Sequence, residues 1–184
     1  AGALGCGLIT SFGDPFFDQR FQQEIAIQSS FWQGVPATVY AFDECSPAQA
    51  NAMALPQKLI FFGGWLVQQI IFETGSELPV AGVLAHEWGH QIQFQFGWMG
   101  QTEPTVRRTE LEADMWSGYY MGLAKSWAGP QMNAYLQTLF NIGDFNFHDR
   151  NHHGTPNQRL AAGATGLDVA FRVATGGGVP LTYQ

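Results

Sequence analysis

Charge is scarce in this chain. Of its 184 residues, 12% are Asp, Glu, Lys or Arg, and only two, Lys58 and Lys125, are lysine. The balance is acidic, with a net charge of −7. Such a surface repels a phosphate backbone, so no nucleic-acid partner is expected. It also offers no polybasic segment to hold an anionic membrane. Cysteine is equally scarce: Cys6 and Cys45 are the whole supply, and no C-x-x-C pair exists to ligate zinc through sulfur. Long apolar runs are missing too. The longest, Leu59 to Phe72, is broken by Gly63-Gly64 and Gln68-Gln69. It falls short of the ~20 residues a membrane span requires. No basic n-region opens the chain, so no signal peptide is read there.

What remains is rich in core-forming residues. Apolar side chains make up 46% of the sequence, which excludes a disordered chain. The length suits one domain, residues 1–184, with a substantial core; neither an internal repeat nor a linker interrupts it. Cys6 and Cys45 are expected to be bridged, against the alternative of two buried thiols. Closing a loop of that length contributes ~3–4 kcal/mol and implies an oxidising compartment.

The chemistry concentrates at His86-Glu87-Trp88-Gly89-His90, an H-E-x-x-H pattern. Each helical residue advances about 100°, so residues four apart share a face. Both imidazoles can then meet one metal ion. Two neutral His nitrogens suit Zn²⁺, and Glu87 is placed to take a proton from water. The flanks are helical: Ser76 is the expected N-cap, Pro79 sits near the start, and Gly97 is the expected stop. Gly89 costs about 1 kcal/mol against Ala inside a helix. It reads as room for close approach of a neighbouring backbone. A buried helix that merely carries two histidines and a glutamate is the competing reading.

Around this segment the pattern predicts helices over about 15–31, a short one from Trp65 to Phe72, a long one from Thr105 to Trp127, one from Pro130, and one following Thr155-Pro156. Strands are expected at Val35–Phe42 and Lys58–Phe62, paired with each other. Residues 1–13 and 143–154 read as irregular.

Two His ligands need a third. The pattern that continues H-x-x-G-x-x-H is not met, since Gln93 and Phe96 stand at those positions. Glu110, Glu112 and Asp114 come next. The nineteen residues between His90 and Glu110 allow a helix to end and an antiparallel one to return. Glu110 and Asp114 share a face, whereas Glu112 points elsewhere. One carboxylate can bind the metal while the other accepts a ligand histidine's second N–H. A solvated acidic face is the plainer alternative. His148, His152 and His153 cannot be ranked from spacing alone.

H-E-x-G-H followed by E-x-x-A-D resembles the bacterial neutral zinc metallopeptidases and the HtpX-like and CAAX-prenyl endopeptidases, within the gluzincins. Asn51-Ala52-Met53-Ala54-Leu55-Pro56 matches their segment ahead of the catalytic helix, and His153-Gly154-Thr155-Pro156-Asn157-Gln158-Arg159 their late histidine segment. The resemblance implies Glu110 as third ligand, Asp114 as the partner behind the ligands, and His153 as donor to the oxyanion. It implies that the strand near Lys58–Phe62 borders the cleft and pairs with substrate. It also implies one Zn²⁺ per chain and a peptide or protein substrate. The membrane helices of the integral-membrane members are lacking.

The expected molecule is therefore an α+β, mainly helical, zincin-like domain with a small sheet packed against the H-E-x-x-H helix. Its expected activity is zinc-dependent endopeptidase, secreted or in the periplasm or envelope of a bacterium. Zinc hydrolysis of a non-peptide bond and a non-catalytic zinc-stabilised interaction module are the alternatives. The sequence leaves oligomeric state, cleavage preference and physiological substrate open.

Overall fold

A computed structural model of the chain describes residues 5–99, 104–125 and 130–183. It is α+β and mainly helical. The order is β1 (Gly7–Ile9), α1 (Pro15–Phe31), β2 (Thr38–Asp43), β3 (Ala52–Leu55), β4 (Leu59–Gly63), α2 (Gly64–Thr74), α3 (Leu78–Phe96), α4 (Arg107–Ala124), α5 (Pro130–Asn141) and α6 (Pro156–Ala174). Local chemistry accounts for the clearest boundaries. Asp14 caps α1 through Oδ1, which accepts from the backbone N–H groups of Phe16 and Phe17 at 2.8 and 3.2 Å, with Pro15 at the first helical position. Thr155 and Gln158 form a reciprocal capping box at α6. Gly97, at φ 71°, ends α3 in the left-handed conformation.

The sheet order is β1-β2-β4-β3. β2 and β4 run parallel, whereas β1 and β3 are antiparallel to their neighbours. The pairing of the strands around 35–42 and 58–62 is thus present. Two expectations are corrected, and one strand stands where the pattern assigned no element. Residues 7–9 form an edge strand rather than irregular chain; Cys6, bonded to Cys45, holds it beside β2. Ala52–Leu55 is a strand of its own. β4, expected to border the cleft, has β2 on one side and β3 on the other, so β3 is the edge. Two helix boundaries also move. Glu77, not Ser76, stands at the cap of α3, with Ser76 Oγ accepting from Leu78 N–H at 3.2 Å. α4 starts at Arg107, and Trp127 lies outside the described residues.

α3 is the buried spine, inaccessible along nearly all of Pro79–Trp88. Gln91 Nε2 donates to the carbonyls of Leu55 and Leu59 at 3.0 and 2.9 Å, fastening α3 beneath the β3–β4 turn. Trp88 Nε1 donates to Val35 O at 2.9 Å. On the opposite side α4 approaches so closely that a Cβ on Gly89 would lie 2.9 Å from Ala113 Cα. That is the close approach expected of this glycine. α6 closes on α4 likewise: a Cβ on Gly118 would lie 2.1 Å from Gly163 O. α3, α4 and α6 therefore form one tightly packed layer, and this layer fixes the site.

Candidate metal centre

His86 and His90 lie one turn apart on α3, and their rings meet edge-to-face at 4.7 Å between centroids. Glu110, in the first turn of α4, spans both. Its Oε2 lies 3.3 Å from His86 Nε2, and its Oε1 lies 3.3 Å from His90 Nε2. The three ligating groups fall within 4.8 Å of one another and could hold a metal ion. Two imidazole nitrogens and a carboxylate oxygen are donor types that a small divalent cation takes.

Both histidines have their second nitrogen occupied. His86 Nδ1 lies 2.8 Å from Asp114 Oδ1. The carboxylate can only accept, so Nδ1 donates, which leaves Nε2 as the nitrogen that a metal would take once its proton is displaced. Asp114 is fully buried, and Arg159 of α6 grips it at 2.8 and 2.9 Å. His90 Nδ1 lies 2.8 Å from Gln93 Oε1. The Gln93 amide nitrogen donates to Thr109 O at 2.7 Å and to Glu112 Oε2 at 3.2 Å. That assigns Gln93 Oε1 as the acceptor. Glu112 stays off the ligand set, as expected from its angle, but reaches it indirectly through Gln93.

Charges in this buried layer perturb one another. Burial opposes protonation of His86, but hydrogen bonds to Asp114 and Glu110 outweigh it and push the imidazole up to about 10. Burial likewise works against the Glu110 charge, yet hydrogen bonds from His86 and His90 hold it well below the carboxylate range. Glu87 is 6% exposed, and burial raises its pKa despite the neighbouring His90 and His86. Among the protein's own groups, His86 therefore carries a proton that a bound metal must displace.

These groups open onto a cleft of about 580 Å³, lined by His86, Glu87, His90, Glu110, His153 and Arg159 and by residues 50–54 along β3. The structure also separates the three late histidines. His153 lines the cleft with a half-exposed side chain. His152 is buried, 2.5 Å from Asp144 Oδ1, and does not line it; His148 is exposed. Asp144 also accepts from the backbone N–H of His153 at 2.9 Å, which fixes the turn that presents His153. Although partial burial works against it, the bonds from His152, His153 and Asn146 hold the Asp144 carboxyl well below its ordinary range.

Three residues of this arrangement escape a reading by spacing. Arg159 showed only as an arginine inside an apolar helix pattern, which is itself a cue for a buried partner. Gln93 showed only as a departure from a longer zinc motif. Glu44 gave no local signal. It is 2% exposed, and its carboxylate accepts from Trp65 N–H at 2.9 Å and Leu66 N–H at 3.0 Å, capping α2. It also accepts from Asn51 N–H at 3.3 Å, beside the disulfide and at the start of the cleft's edge strand.

Compared with known protein families, curated proteins and solved structures, the chain matches none.

Proposed function

We propose that this chain is a zinc-dependent endopeptidase of zincin-like fold, a single domain that binds one Zn²⁺ through His86, His90 and Glu110. The observation that carries the reading is Glu87. It lies beside the ligand set, inside the cleft, and is not needed to hold a metal. A purely structural zinc site has no use for such a carboxylate.

When bound, zinc supplies a Lewis acid that polarises a carbonyl and lets water lose a proton near neutral pH. The chain's own residues do the rest. Glu87 accepts the proton from water as the water oxygen bonds to the peptide carbonyl carbon. It then passes that proton to the amine nitrogen as the C–N bond breaks. Its raised pKa, caused by burial, brings it nearer the pH at which both transfers are possible. His153, at the cleft wall, donates a hydrogen bond to the carbonyl oxygen as that oxygen gains charge. Asp114 and Gln93 hold the two imidazoles in the ligating tautomer. Substrate backbone pairs with β3, whose outer edge is unpaired among the described residues. The disulfide supports function in an oxidising compartment. No described helix is long and apolar enough to cross a membrane.

The test is elemental analysis beside cleavage of an unfolded protein, with and without chelator. One zinc per chain and chelator-sensitive cleavage are expected. Metal-free protein that zinc cannot activate would refute the reading.

A further inference from the structure

The cleft's edge strand is anchored to one buried carboxylate. Asn51 N–H, just ahead of β3, donates to Glu44 Oε1 at 3.3 Å. Because Glu44 also accepts from Trp65 and Leu66 N–H, it joins the start of β3 to the start of α2. Asn51 and Leu66 both line the cleft. Glu44 is fixed in turn by the residue after it. Cys45 is bonded to Cys6, whose own N–H donates to Asp43 O at 2.7 Å. Cys45 stands at φ 76°, a left-handed conformation that residues with a side chain rarely adopt. Such a conformation persists only where its surroundings enforce it. Two contacts do so here: the bond to Cys6, and Cys45 N–H donated to Asp43 Oδ1 at 2.8 Å. Both cysteines are exposed, so a thiol or a disulfide in solution can reach the bond. The metal ligands stand elsewhere, on α3 and α4, and none of them touches this anchor.

We propose that the Cys6–Cys45 bond is a redox latch on the cleft. With two free thiols the chain holds metal but does not seat a substrate along β3; forming the bond makes it competent. The proposal rests on the peptidase reading and names its regulation. In the oxidising direction the two thiols give two electrons and two protons to a small disulfide, which leaves as two thiols. In the reducing direction Cys45 is released from its left-handed backbone. Glu44 beside it then loses the fixed position from which it meets three N–H groups. The edge that receives substrate loosens, while His86, His90 and Glu110 stay in their packed layer. A chain made in a reducing compartment therefore remains latent until it reaches an oxidising one.

The test compares the zinc-loaded full chain before and after reduction by a water-soluble phosphine, with thiols counted in each sample. Hydrogen exchange followed by mass spectrometry should quicken at least ~10-fold over residues 51–55 after reduction. Exchange over residues 79–93 and zinc content should not change. Peptide turnover should fall at least ~10-fold and return when oxidised glutathione restores the bond. Glu44→Gln, with the bond intact, should loosen residues 51–55 by itself, and reduction of that variant should add less than it does in the native chain. Unchanged exchange at 51–55, or unchanged turnover despite faster exchange, would overturn the latch. So would loss of zinc together with faster exchange at 79–93, because the bond would then be a general staple. A full additional effect of reduction in Glu44→Gln would overturn the route through Glu44. Exchange needs no catalysis: loosening at 51–55 with no peptide cleaved by either form would refute the peptidase reading alone.

Discussion

On one side of the cleft, α3, α4 and α6 hold His86, Glu110, Asp114 and Arg159 in a connected set of ion pairs and hydrogen bonds, with the buried Glu87 beside them. On the other, α2 and α5 with the residue just after it present Leu66, Ile70, Leu139 and Ile142, none of them ionisable. The difference is one of cost. A buried charge is tolerated only where partners surround it, so the charged wall must be held to within tenths of an ångström by residues behind it. An apolar wall needs only shape and volume. Substitutions on the first wall should disturb metal and chemistry together, and those on the second should leave the metal alone.

The largest break in that contrast should come from Glu110→Gln. It removes a direct donor to the ion, so metal affinity should fall by more than the ~10–100-fold typical of partners behind the ligands. Competition with a chromophoric chelator measures this. Asp114→Asn comes next. It loosens His86 and leaves the Arg159 guanidinium buried without its anion. Metal affinity should drop ~10–100-fold, and unfolding in denaturant should show a loss of ~3–5 kcal/mol. A loss confined to metal affinity would mean that Asp114 does not anchor Arg159.

Acid should produce a graded version of the same effect. His86 is raised to about 10 in the metal-free protein. Its contribution to metal-free stability is therefore complete below the ordinary histidine value of ~6.5 and lost as pH rises through about 10. Metal must displace this proton. Affinity should weaken ~10-fold for each unit the pH is lowered beneath that value. Isothermal titration in buffers of different ionisation enthalpy should show a proton released at pH 8. The smallest effects should come from Glu112→Gln and, on the apolar wall, Ile70→Val. The latter should cost ~0.5–1.5 kcal/mol of stability and leave metal affinity unchanged. A metal-affinity loss in Ile70→Val would erase the distinction between the walls.

How much of this was legible in sequence follows the same division. The charged wall was readable because helical geometry is periodic: His86 with His90, and Glu110 with Asp114, are each four apart. The disulfide was readable because two cysteines allow one pairing. The edge of the cleft was not. Asn51–Pro56 offers small residues and a proline where alternation would mark a strand, and the paired register of β3 with β4 sets it instead. Nor was Glu44 readable, because its partners at Trp65 and Leu66 lie some twenty residues downstream. His153 was separable from His148 and His152 only once Asp144 was seen to hold the turn. Periodicity reveals what one helix displays; it is silent about contacts that only the assembled chain creates.

The central claim, that Glu87 acts on water beside a bound metal without holding it, is tested most directly by Glu87→Gln. The substitution keeps the size of the side chain and removes its basicity. Zinc stoichiometry and peptide turnover are measured on one sample. The account predicts full zinc, because His86, His90 and Glu110 are untouched, with turnover lowered by ~10²–10⁴-fold. Full zinc with undiminished turnover would contradict it.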